Sequence, residues 1–160
     1  MSNFNDDENF SFEENFDPEE AKHNYEQERS RVESLPIMKQ AREIYKIVDS
    51  LMSLIEDDGC FMDHYRETIF QDAALIRAKI AAAEGADLYS LRMENAVLVK
   101  IHARSLEVHT YGLEMMDFKE VHYLEVLREA IEDFRLLFIQ WVASFDKAND
   151  IQDNWGQLFC

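Results

Sequence analysis

Ile37, Ala41, Ile44, Val48, Leu51 and Ile55 follow one another at spacings of 4, 3, 4, 3 and 4. That rhythm gathers all six on one face of a helix, whereas in a strand it would scatter them over both faces, so the stretch predicts an amphipathic helix. Pro36 suits its first turn, Ser34 is the expected cap, and Asp57-Asp58-Gly59 reads as the turn that ends it. Met38, Tyr45 and Met52 flank the seam. A second seam runs through Tyr65, Ile69, Ala73, Ile76, Ile80 and Ala83 and stops at Gly85, an expected left-handed cap. A third, with Asp87 as its expected cap, uses Ala96, Val99, Ala103, Leu106 and Leu113 and ends between Gly112 and Asp117. The fourth carries Leu124, Leu127, Ile131, Phe134, Phe138, Trp141 and Phe145. Four Gly and two Pro are too few for the turns of an all-β chain. The predicted fold class is therefore all-α, an antiparallel up-down four-helix bundle over residues 35–146.

Charge divides the chain differently. Residues 1–34 hold eleven acidic and three basic side chains, and residues 35–160 hold 22 and 13. The apolar content of the first 21 residues, which contain no Lys or Arg, is mostly Phe4, Phe10, Phe12 and Phe16. Too little surface can be buried there to offset the entropy of ordering, so residues 1–20 are expected to be disordered when free. Residues 18–34 permit a helix but lack an apolar stripe. The polar segment 147–160 ends in Trp155, Leu158 and Phe159, which are expected to dock on the bundle or on a neighbour.

A net charge of −17 disfavours binding to nucleic acid or an anionic membrane through the overall field, and favours a protein partner with a basic surface. Two cysteines, Cys60 and Cys160, make no disulfide scaffold, and no signal peptide or 18-residue apolar run is evident, so a cytoplasmic location is expected.

The stretches LPIMKQAREIYKIVDSL, AALIRAKIAAAEG and MENAVLVKIHARSLEVHTYGLEMM, within residues 35–116, resemble one four-helix-bundle family. Its members are encoded in intervening sequences of 23S ribosomal RNA genes or act as accessory variability proteins beside diversity-generating reverse transcriptases. The resemblance rests on the run ending in Ala83-Glu84-Gly85 and on Ala103, Ser105, Leu106 and Glu107. It implies an antiparallel bundle that assembles into a ring, often a pentamer, and carries no catalytic residues. In that family a Gly-Arg commonly follows the Ala-Glu-Gly, and members that touch nucleic acid have a basic surface. Here Ala86-Asp87 follows and residues 35–160 are net acidic, so direct nucleic-acid binding is not expected.

Arg104 and His109 fit the Arg-x4-6-His spacing of HEPN-type ribonucleases, in which Arg would hold a phosphate and His would move a proton. With nine Arg and five His, about one such match arises by chance, and Ser105 is not the polar residue that usually follows the Arg. His102 and His109 lie two helical turns, roughly 10 Å, apart, too far to share one metal, and are expected to be structural. The acidic neighbours of Cys60 raise a thiol's pKa and weaken it as a nucleophile. No phosphate loop, nucleophile elbow, Rossmann fingerprint or di-metal pattern is present, and no cofactor, metal or catalytic residue is expected.

The functional signal lies elsewhere. Phe4, Phe10, Phe12 and Phe16 alternate with acids, the pattern by which an extended segment engages basic rims and apolar pockets. Tyr89, Val97, Tyr111, Phe118, Tyr123, Leu137 and Ile139 lie partly off the four seams, as spare interface surface would. The expected function is that of a non-enzymatic, homo-oligomeric adaptor whose N-terminal segment binds a basic protein, of which a protein handling RNA or DNA is an example. Phe4, Phe10, Phe12, Phe16, Trp155 and Phe159 are the expected partner-binding residues; a metal-independent ribonuclease using Arg104 and His109 is the alternative.

Overall fold

The computed structural model describes residues 17–55, 61–152, 154–156 and 158–159. Among them the chain is entirely helical, with α1 Pro18–Ser34, α2 Pro36–Met52, α3 Phe61–Glu84, α4 Tyr89–Met115 and α5 Val121–Ala143. Two compact units are distinguished, residues 1–31 and residues 32–160.

In the first unit, helix begins within the segment expected to be disordered. The Asp17 carboxylate accepts hydrogen bonds from the backbone amides of Glu19 (3.0 Å) and Glu20 (3.4 Å), capping the start of α1. From Asp17 to Arg31 every side chain but that of Ala21 is exposed. Support there is local, as in the pair between Arg31 and Glu28 (2.5 Å), whose guanidinium holds the Glu28 carboxyl below its ordinary range.

The second unit is a helical bundle. α3 packs on α4, α2 packs on both α3 and α5, and α4 packs on α5. The seams read from sequence form its core: Ile44, Val48 and Leu51 from α2, Ile76 and Ile80 from α3, Leu106 and Leu113 from α4, and Leu124, Leu127 and Phe134 from α5 are all buried. Phe138, Trp141 and Phe145 continue as a chain of tilted and edge-on rings at 5.9 and 4.9 Å.

Glu84, inside the Ala-Glu-Gly run, closes one end of this core. Its Oε1 accepts from the Arg92 guanidinium on α4 (2.6 Å) and from the Trp141 indole N–H on α5 (2.7 Å). Arg92 also lies 4.1 Å over the Phe145 ring. Three helix ends thus share one nearly buried carboxylate, a strong arrangement because both donors keep a partner out of water.

The helix ends depart from the expected caps. Leu35, not Ser34, occupies the cap position of α2, without a side-chain hydrogen bond, while Pro36 does take the first helical turn. Gly85 is not in the left-handed region; that conformation falls instead on Asp117 (φ 59°), where the Phe118 amide closes back onto the Leu113 carbonyl at 3.1 Å. Nor does Asp87 cap α4. The chain's far end does: Asp150 accepts from the Ser90 amide (3.2 Å) and hydroxyl (2.7 Å), and the Asn149 carbonyl accepts from the Tyr89 amide (2.8 Å). The expected turn Asp57–Gly59 lies outside the described residues.

The Ser90 hydroxyl and amide hold the Asp150 carboxyl below its ordinary range, so its contribution to stability is full above that range and is lost as pH falls through the lowered value. Asp150→Ala should reduce the urea midpoint near neutrality, and the gap to wild type should narrow below about pH 4. A gap of constant size down to pH 2 would show that the carboxylate's charge plays no part.

Candidate functional site

α4 carries two apolar faces. Ala96, Val99, Ala103, Leu106 and Leu113 point into the core, while Val97, Ile101, Val108, Tyr111 and Met115 are between 39% and 87% exposed. With Arg104 filling the gap, this outer set repeats at 4, 3, 4, 3 and 4, and at 3.6 residues per turn it occupies an arc of about 80°. Leu136 and Ile139 on α5 are also about half exposed. Of the residues expected to be spare surface, Val97, Tyr111, Tyr123 and Ile139 are exposed. Tyr89 is buried where the C-terminal segment meets the start of α4, Phe118 is folded back onto the core by the α4–α5 turn, and Leu137 packs against the core beside the start of α2. Ile101, Val108 and Met115 complete the outer stripe; Ile101 and Val108 were not singled out from the sequence, and Met115, expected to pack, is 87% exposed.

Beside the stripe, α4 and α5 enclose a groove of about 300 Å³. Its floor is apolar, formed by Ile131, Phe134, Phe138 and Ile139, and its rim holds Lys100, Arg104, Arg128 and Arg135 with Glu107 and Glu132. Arg135 pairs with Glu132 (2.6 Å) and holds that carboxyl below its ordinary range. Arg128 pairs with Glu114, donates to the Thr110 hydroxyl (2.8 Å) and stacks 4.2 Å over Tyr111, anchoring that ring at the stripe. Among the described residues Lys100 and Arg104 have no ion-pair partner. Four of the sixteen Lys and Arg of a strongly acidic chain therefore line one cleft.

The opposite flank of α4 carries a buried polar cluster. Asp72 on α3, 7% exposed, sits between two imidazoles: His102 Nδ1 lies 2.8 Å from Oδ1 and His109 Nε2 lies 3.4 Å from Oδ2. Tyr65 packs edge-on against the His109 ring at 4.8 Å and donates to the His109 carbonyl at 3.2 Å. Burial pushes the Tyr65 phenol above its ordinary value. Gly112 is what admits Tyr65, since a Cβ there would come within 2.3 Å of the phenol oxygen. The Ser105 hydroxyl lies 3.3 Å from the same His109 Nε2 that faces Asp72. A hydrolytic triad needs acid and hydroxyl on opposite ring nitrogens, and this set does not provide that.

Arg104 and His109 diverge. Five helical positions place them about 140° apart, and accordingly Arg104 lines the α5 groove while His109 faces α3. His102 is hydrogen-bonded to Asp72 Oδ1 while His109 lies 3.4 Å from Oδ2, and among the described residues no group of three metal-ligating side chains converges on a metal position. At the C-terminal end, Trp155 is 93% exposed and Leu158 is exposed, while Phe159 packs partly against the core. Phe4, Phe10, Phe12 and Phe16 lie outside the described residues, as does Cys60. Among the described residues no helix is long and apolar enough to cross a membrane. No protein-family model, curated protein or solved structure matches the chain.

Asp72 was missed in the sequence, although the signal was there: it occupies a seam-adjacent position between Ile69 and Ile76, where a lone acid needs partners. Asp72→Ala removes the hydrogen-bond partner of His102 Nδ1 and should cost about 1–3 kcal/mol, read by urea unfolding. A variant as stable as the wild type would show that the cluster contributes nothing.

Proposed function

We propose that this chain is a non-enzymatic, self-associating adaptor. In this reading α2–α5 form an antiparallel up-down four-helix bundle, the outer face of α4 packs on another copy, and the acidic N-terminal segment engages a protein with a basic surface. The exposed stripe on α4 is the observation that carries it. A helix facing water on its outer side gains nothing from Val97, Ile101, Val108, Tyr111 and Met115 at successive seam positions. Full burial of such a side chain contributes roughly 1.5–3 kcal/mol, of which covering the part still exposed supplies a fraction, and the 4-3 spacing suits knobs-into-holes packing on a second helix of the same kind.

Arg104, alone and charged in the middle of the stripe, resembles the single polar seam residue that sets register at some cost in stability. The divergence of Arg104 from His109 supports the non-enzymatic reading over a ribonuclease. The ring assembly implied by the family resemblance points the same way as the stripe.

Sedimentation or light scattering at micromolar concentration should give a multiple of 18.9 kDa. Ile101→Glu with Val108→Glu should reduce it to the single-chain mass with the helical circular dichroism unchanged, since neither side chain supports the core. A wild-type mass of one chain across that range overturns the proposal.

A further inference from the structure

We infer that the groove between α4 and α5 receives residues 1–16 of a second copy of this chain. The inference rests on the self-association proposed above and names what the acidic segment binds: the basic surface is on the protein itself.

Chemical complementarity is the first ground. The groove combines an apolar floor with a rim on which Lys100 and Arg104 have no ion-pair partner among the described residues. Residues 1–16 carry the matching set, with Asp6, Asp7 and Glu8 between Phe4 and Phe10, Glu13 and Glu14 between Phe12 and Phe16, and no Lys or Arg. Phe rings suit a floor made by Phe134, Phe138 and two isoleucines, and about 300 Å³ falls at the lower end of cavities that bury small ligands. Acids beside those rings meet the rim cations, whose hydrogen bonds to carboxylates are the stronger kind.

Position and charge point to a second copy. Arg104 belongs both to the outer stripe and to the groove rim, so a copy docked on the stripe borders the groove. Chains of charge −17 also repel one another, and association is easiest where a local contact pairs opposite signs. An acidic segment laid across this cation-rimmed cleft of its neighbour supplies such a contact. Anionic nucleic acid, by contrast, would carry its charge onto the whole acidic surface around the groove.

The test uses the full chain with the photocrosslinker benzoylphenylalanine in place of Phe10, mixed with nitrogen-15-labelled wild type. After irradiation, mass spectrometry should find heavy–light crosslinks within 100–107 and 131–139. Lys100→Glu with Arg135→Glu, which spares the outer stripe, should lower their yield roughly tenfold, and Asp6→Lys with Asp7→Lys and Glu8→Lys should restore it. Crosslinks confined to one chain, crosslinks elsewhere, or a yield indifferent to the rim charges would overturn the inference. Sedimentation of the same samples separates the two ideas. A multimer without groove crosslinks sinks the inference and leaves self-association standing, whereas a single-chain mass sinks self-association itself.

Discussion

The carboxylate of Asp72 sets the terms on which α3 and α4 meet. A buried acid is costly unless it is partnered, and here Oδ1 is hydrogen-bonded to His102 while Oδ2 lies 3.4 Å from His109, two helical turns along α4, with no hydrogen bond among the described residues. Sliding α4 by one turn would break the His102 hydrogen bond and leave the acid with none. Register between the two helices is therefore specified by polar geometry as well as by apolar fit. Gly112 reinforces it from one side, because only the absence of a Cβ lets Tyr65 reach the His109 carbonyl.

From that register the surfaces of α4 follow. With His102 and His109 turned to α3 and Leu106 and Leu113 turned to the core, Lys100, Glu107 and Glu114 must look toward α5. What remains for the outside is Val97, Ile101, Arg104, Val108, Tyr111 and Met115. Its start is held as well, by Asp150 and Asn149 from the far end of the chain. α4 is thus constrained along three flanks and one end, and its free flank is the apolar one. Such a rigid, exposed stripe loses little conformational freedom on association, which favours its use as a docking face.

The sequence made the core legible because one rule governs it. Every seam residue of the α2 pattern, from Ile37 to Ile55, is buried, although Ile55 lies beyond the end of the helix. Places where two rules overlap were harder to read. On α4 the inner seam was legible, but the outer stripe interleaves with it, so Ile101 and Val108 merge into a broadly apolar helix and the outer period does not stand out. Caps failed for another reason: Asp87 was the local candidate, but Asp150, 60 residues beyond Ser90, does the capping, and nothing short-range announces a partner so far away. Arg104 and His109 show the converse case, in which residues at a short spacing are turned apart by helical rotation.

Charge distribution connects the two readings of function. A uniform excess of acid over the whole chain would serve solubility and oppose self-association alike. The excess is not uniform: no Lys or Arg stands in the first 21 residues, while four cations line the groove beside the α4 stripe. For the proposed self-association, separating the signs in this way would make the long-range field repulsive and the short-range contact attractive, so that only copies approaching in the right orientation would gain. In the proposed assembly, apolar contact along α4 would determine how long copies stay together, because burial acts mainly on the dissociation rate while charge acts mainly on the encounter. Raising salt weakens both the general repulsion and the specific attraction, the second less where the groove excludes water. An assembly built on these residues would accordingly persist at ionic strengths that abolish a purely electrostatic one.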